Sequence, residues 1–204
     1  GIASTGSVTN GPFGTGTVTV GSGYTLDLNG FNIANALNLT GTGLSSNGAL
    51  INSSSTASTA SGAVTIAANT SIGGSGAITM SGAISTSTYT VSFVNGASVT
   101  ATNTSNSIAS VTITNSALIL KTTAALTVNA SSLSGVTTLQ TVAAGKDITV
   151  SGAISNNTNA NTLTLMASRD ILVSAAIAGA TGKSLTANFY SDVDNTTGGG
   201  FKST

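Results

Sequence analysis

Five aspartates, Asp27, Asp147, Asp170, Asp192 and Asp194, supply every side-chain carboxylate of the sequence, and there is no Glu. Asp147 and Asp170 are related by an offset of 23. In a chain that coils with that period they would lie one above the other at about one strand spacing, ~5 Å. A retaining glycosidase holds its two carboxyl groups at about that separation, ~5 Å, so one chemistry open to the pair is that of a glycan-active β-helix enzyme. Lys146 and Arg169 repeat the same interval beside them. The same stacking therefore also yields two oppositely charged dipeptides at a turn, neutralising each other and starting a strand. This ladder is the preferred reading, and no catalytic residue is assigned.

Asp192, Asp194 and Asn195 form an oxygen-rich cluster of the kind calcium prefers. The Gly-rich nonapeptide calcium repeat is absent, and turn chemistry accounts for the same residues. No metal ligand and no cofactor is expected. Gly21-Ser22-Gly23 and Gly73-Gly74-Ser75-Gly76 resemble pieces of phosphate-cradling loops, but neither a helix nor a P-loop lysine follows. Asn38, Asn52, Asn69, Asn103, Asn129, Asn156 and Asn195 carry Ser or Thr two places on, a pattern that chance supplies freely in so polar a chain. The scattered Tyr24, Tyr89, Tyr190, Phe13, Phe31, Phe93, Phe189 and Phe201 read as residues that fill coils rather than as a sugar-stacking platform. A threonine array that orders water would need its pair repeated coil after coil, and no Thr pair continues from coil to coil at the offset of the aspartates.

Composition narrows the chemistry further. Cys, His and Trp are absent, which removes thiolate and imidazole catalysis and the metal sites built on them. Five basic and five acidic residues leave zero net charge on 204 residues, so nothing here attracts nucleic acid or an anionic membrane electrostatically. No apolar run is long enough to span a bilayer, and the first residues do not read as a signal peptide. The start at Gly1 and the unpunctuated finish at Thr204 read as a piece of a longer or processed protein. Ser, Thr, Asn and Gly make up more than half of the chain, yet Val, Ile, Leu and Phe still supply almost a quarter of it. That apolar content, with no self-repulsion, argues against disorder.

The elements that would position these residues are short strands. Val18-Thr19-Val20, Leu26-Asp27-Leu28, Val64-Thr65-Ile66, Ile78-Thr79-Met80, Val111-Thr112-Ile113 and Ile148-Thr149-Val150 alternate apolar with polar residues. Period two buries one face and wets the other. Ile78-Thr79-Met80-Ser81-Gly82-Ala83-Ile84 aligns with Ile148-Thr149-Val150-Ser151-Gly152-Ala153-Ile154 at an offset of 70, and the latter with Ile171-Leu172-Val173-Ser174-Ala175-Ala176-Ile177 at 23. Val99-Thr100-Ala101 and Leu126-Thr127-Val128 then stand as the intermediate rungs, and Leu163-Thr164-Leu165 with Leu185-Thr186-Ala187 forms a second row at 22. The expectation is an all-β chain, a right-handed parallel β-helix of about nine coils of about 22–23 residues, ~40 Å long. Asn29-Gly30, Asn47-Gly48 and Asn95-Gly96 suit its turns, and would equally suit the hairpins of an antiparallel sandwich, the competing architecture.

The run Gly16 to Gly30 (GTVTVGSGYTLDLNG), with Asn47-Gly48-Ala49-Leu50-Ile51-Asn52 and Gly62-Ala63-Val64-Thr65-Ile66, resembles the passenger repeats of bacterial autotransporters. Gly145-Lys146-Asp147-Ile148-Thr149-Val150, Arg169-Asp170-Ile171, and Ser191-Asp192-Val193-Asp194 running into Gly198-Gly199-Gly200 look like exoproteins of the filamentous haemagglutinin type, exported by two-partner secretion. Residues 11–85 are the autotransporter-like coils, 86–140 match weakly, and 141–204 are haemagglutinin-like, all in one β-helical segment, 1–204. The resemblance implies a non-enzymatic stalk or adhesin, extracellular or on the bacterial surface. It would meet a host or neighbouring cell surface, a glycan or matrix, and it brings no catalytic residue. The open ends of such a rod further suggest end-to-end self-association by coil stacking, with 1–12 or 190–204 as the segments that could cap it.

Overall fold

The computed structural model describes residues 13–96, 98–195 and 198–203. Among them are twenty strands of two to thirteen residues and one 3-10 turn, Leu44–Ser46. β-branched Val, Ile and Thr suit extended backbone, and every strand pairing is parallel. Parallel pairing with no hairpin excludes the antiparallel sandwich. The chain is a right-handed parallel β-helix of about eight turns. No helix among the described residues is long and apolar enough to cross a membrane.

Three ladders run up the solenoid. The first stacks Val18, Leu37, Val64 and Ile84, continues at the bridge Ser85 to Ser107, and resumes as Leu126, Ile148, Ile171 and Phe201. The second stacks Leu26, Leu50, Ile72, Phe93 and Ile113, then Ser131, Ile154 and Ile177. In the third, Ile33, Ala60 and Met80 lie below Ala101, Leu120, Leu139, Leu165 and Phe189. Ile78 under Val99 joins its two halves. Two strands turn corners without a break: Val64–Gly73 serves the first and second ladders, and Ser110–Thr122 the second and third. Inward residues of all three ladders form one buried cluster from Val20 to Ile171.

The repeat is not uniform. Ladder partners are offset by 19 at Val18 and Leu37, by 27 at Leu37 and Val64, by 23 at Ile148 and Ile171, and by 30 at Ile171 and Phe201. Pairing fixes the height of each strand, while corner loops absorb any surplus chain. This explains why about eight turns are found where about nine were expected. It also corrects two alignments. Ile78–Met80 belongs to the third ladder, between Ser58–Ala60 and Ser98–Ala101, and not to the column of Ile148. Val99-Thr100-Ala101 accordingly leads to Leu118-Ile119-Leu120 rather than to Leu126. Leu163 lies under Ala187, not Leu185, an offset of 24. The stack of Leu126, Ile148 and Ile171 stands as expected.

Candidate functional site

Lys146-Asp147 and Arg169-Asp170 immediately precede the strands Ile148–Val150 and Ile171–Val173, so the first ladder stacks the two dipeptides. Buried hydroxyls hold the turn beneath them. Ser168 N–H donates to Thr141 Oγ1 at 2.9 Å, and Lys146 N–H donates to Ser168 Oγ at 3.0 Å. Backbone bonds continue the stack, from Leu126 N–H to Asp147 O and from Ile148 N–H to Asp170 O, both 2.9 Å.

The side chains then interlock across turns. Asp147 Oδ1 accepts from Arg169 Nε at 2.7 Å and from Asp170 N–H at 3.1 Å, and its Oδ2 accepts from the second arm of the same guanidinium. This fork-to-fork geometry is the strong form of a charge-assisted bond. Asp170, only 9% exposed, accepts from Gly200 N–H at 2.8 Å and from Lys202 Nζ at 2.6 Å. The Arg169 guanidinium bonded to Asp147 holds that carboxyl below the usual carboxylate range against partial burial. The Lys202 ammonium, with the Gly200 N–H, does the same for Asp170. The expected ladder is present through Asp147, Arg169 and Asp170 but without an ion pair from Lys146 among the described residues, and Lys202 extends it to a third turn. Lys202 lay outside the reading because it sits above Leu172 after a turn longer than the one that relates the two dipeptides, and so does not share their interval.

This arrangement can clamp three turns together. It does not match the general acid of a glycosidase, which needs a carboxyl whose pKa is raised, because both carboxyls here are held ionised. Asp27 stands apart from them. Burial pushes its carboxyl up, and bonds from the Ser53 hydroxyl, the Ser53 N–H and the Asn29 N–H outweigh burial, so the net shift is downward. Asp192 and Asn195 both take positive φ, and Asn195 N–H donates to Asp192 O at 2.9 Å, which is a turn. No group of three acidic side chains converges among the described residues.

A set of buried asparagines was not anticipated. Asn106, fully buried, accepts from Ile84 N–H on the turn below at 2.8 Å and donates to Ala101 O and to Lys121 O on the turn above at 2.9 and 3.1 Å. Asn52 accepts from Gly30 N–H and donates to Thr56 O and Ala77 O. Asn156 donates to Thr158 O and Ser184 O and accepts from Ala180 N–H. Each sits at a corner where strand pairing lapses and backbone groups would otherwise be buried without partners. In a chain so rich in asparagine nothing in the sequence marks these three.

The remaining candidates separate by exposure. Among the Asn-x-Ser/Thr positions, Asn52 and Asn156 are buried, and the amides of Asn103 and Asn129 donate to Ser81 O and Ser110 Oγ. Asn69 is exposed and accepts from Thr90 N–H, and Asn38 is half-buried. The partner Thr197 of exposed Asn195 lies outside the described residues. Among the aromatics Phe93 fills the core and Phe189 packs against it, with Phe201 stacked on Phe189 at the last turn, whereas Tyr24, 73% exposed, and Phe13, Phe31, Tyr89 and Tyr190 are exposed, contrary to their reading as coil fillers. Thr59, Thr79, Thr100, Ile119, Thr138 and Thr164 form one outward file on the third ladder. Its successive offsets vary from 19 to 26, so a search at 23 misses it. No protein-family model, curated protein or solved structure matches this chain.

Proposed function

We propose that the chain is a non-enzymatic, extracellular β-helical stalk or adhesin segment. It mediates adhesion at a bacterial surface or builds extracellular structure such as filaments or biofilm matrix. The observation that carries this reading is a rod of about eight turns whose outward files are mainly hydroxyls and amides, as in the third ladder, where Ile119 interrupts a file of threonines. Its Asp147 and Asp170 charges are spent on internal ladder bonds. Such a surface suits a glycan, matrix or cell-surface partner bound by hydrogen bonds and scattered apolar contacts rather than by counterion release. The resemblance to autotransporter passengers and filamentous haemagglutinin-type exoproteins points the same way.

Retention of protein-coated beads on polysaccharide, matrix and cell surfaces tests the proposal. Attachment should change by less than about twofold between roughly 50 and 200 mM salt. Loss of an order of magnitude over that range, or no attachment to any of the three surfaces, would overturn it. The alternative, a glycan-active enzyme using Asp147 and Asp170, requires that Asp147→Asn and Asp170→Asn abolish release of reducing ends from some polysaccharide.

A further inference from the structure

Asn-Gly pairs can modify themselves. The backbone nitrogen of the glycine, unhindered because no Cβ stands beside it, attacks Cγ of the preceding asparagine. A C–N bond forms, the side-chain nitrogen leaves as ammonia, and water opens the resulting succinimide at either of its two carbonyls. The products are aspartate and isoaspartate, the latter with its main chain rerouted through the former side chain. Three such pairs lie among the described residues, Asn29-Gly30, Asn47-Gly48 and Asn95-Gly96, while Asn10-Gly11 lies outside them. All three asparagines are exposed. Their glycines are not alike.

Gly30, half-buried, donates its N–H to Asn52 Oδ1 at 2.9 Å, and buried Gly48 donates to Thr42 O at 2.8 Å. A Cβ on either would stand 2.9 Å from its nearest neighbour, Ser54 Oγ for Gly30 and Gly73 N for Gly48. Gly96 is exposed, its N–H has no partner among the described residues, and the atom nearest to a Cβ there is Asn115 O at 3.8 Å. We infer that Asn95-Gly96 is a site of spontaneous succinimide formation and deamidation, and that the fold protects the other two pairs. Ring closure needs a nitrogen free to attack and a backbone free to turn toward the side chain, and of these three corners only this one offers both. At Gly30 and Gly48 the nitrogen must first be released by local opening of the corner.

The reaction strikes a contact between turns. Asn95 Nδ2 donates to Asn47 Oδ1 at 3.0 Å and to Asn47 O at 3.4 Å, tying together two corners 48 residues apart in sequence. After deamidation an ionised carboxylate faces those two oxygens, so the tie is lost. One neutral amide has become one carboxylate, and the net charge falls from zero to −1. The inference stands independently of the adhesive reading.

Incubation of the intact chain at mildly alkaline pH, folded in one arm and in concentrated urea in the other, tests it. Each pair is followed by proteolysis and mass spectrometry, with isoaspartate detection. In the folded arm Asn95 should convert at least about tenfold faster than Asn29 or Asn47, whose glycines react only from the opened state. In urea the three rates should agree within about threefold, since every pair then has the same unhindered glycine. Gly96→Ala sets a Cβ beside the attacking nitrogen, and in urea, where its effect on folding drops out, it should slow conversion at Asn95 by about tenfold. Equal rates at the three pairs in the folded arm, no conversion at Asn95 there, or a tenfold preference for Asn95 that persists in urea would each overturn the inference. Aspartate without isoaspartate, or a Gly96→Ala chain that converts as fast as the parent, would do the same.

Discussion

Asn106 shows how much a neutral side chain does in this chain. One amide replaces pairing on both sides of a corner, so Asn106→Leu leaves Ile84 N–H, Ala101 O and Lys121 O buried and unpaired. The expected loss is roughly 2–5 kcal/mol, measured by urea denaturation, whereas exposed Asn157→Leu should stay within about 0.5 kcal/mol. The aspartates set the response to acid. Asp27, Asp147 and Asp170 have folded pKa values below their unfolded ones, so they stabilise the fold fully above the unfolded carboxylate range, about pH 4. That contribution disappears as pH falls from there through the folded values. With no His in the chain, the melting temperature should be level between about pH 5 and 8 and fall below about pH 4. A midpoint step near pH 6.5 would contradict this assignment.

Strands are where the sequence spoke most clearly. Ile148 is fully buried under Ile171 while Thr149 turns outward between Thr127 and Leu172. Ile148→Asp should therefore cost more than about 4 kcal/mol, and Thr149→Asp less than about 1 kcal/mol. Comparable melting losses for the two would reverse the faces. Alternation made this legible, because period two is a local property that survives any coil length. The vertical alignment was legible only where turn length stayed constant. Ser-Gly-Ala-Ile misled for a physical reason: Ser81-Gly82-Ala83-Ile84 turns from the third ladder to the first, while Ser151-Gly152-Ala153-Ile154 turns from the first to the second. At both corners the backbone of the turn below leaves no room for a side chain. A Cβ on Gly82 would lie 1.9 Å from Gly62 O, and one on Gly152 2.1 Å from Ala130 N. The motif thus reports a tight corner without saying which corner. The charge ladder was legible up to Arg169 and Asp170 because their interval repeats that of Lys146 and Asp147. Lys202 and the corner asparagines were not, since their partners are set by loop excursions that leave no periodic trace.

In the whole molecule, stacking makes each turn depend on its neighbours above and below, as in other solenoids. Turns differ in length, from an offset of 19 between Val18 and Leu37 to one of 30 between Ile171 and Phe201, yet each adds the same strand spacing, about 4.8 Å. Height along the axis is therefore counted in turns and is indifferent to the residues spent at corners. The molecule is a ruler with fixed graduations. A short polar insertion between Ser55 and Thr56, in an exposed corner loop, should leave its length in small-angle scattering unchanged, whereas excising one complete turn should shorten it by a single graduation. A lineage of such chains could then vary loop chemistry freely at any corner while holding constant the distance at which it presents a contact from the surface that bears it.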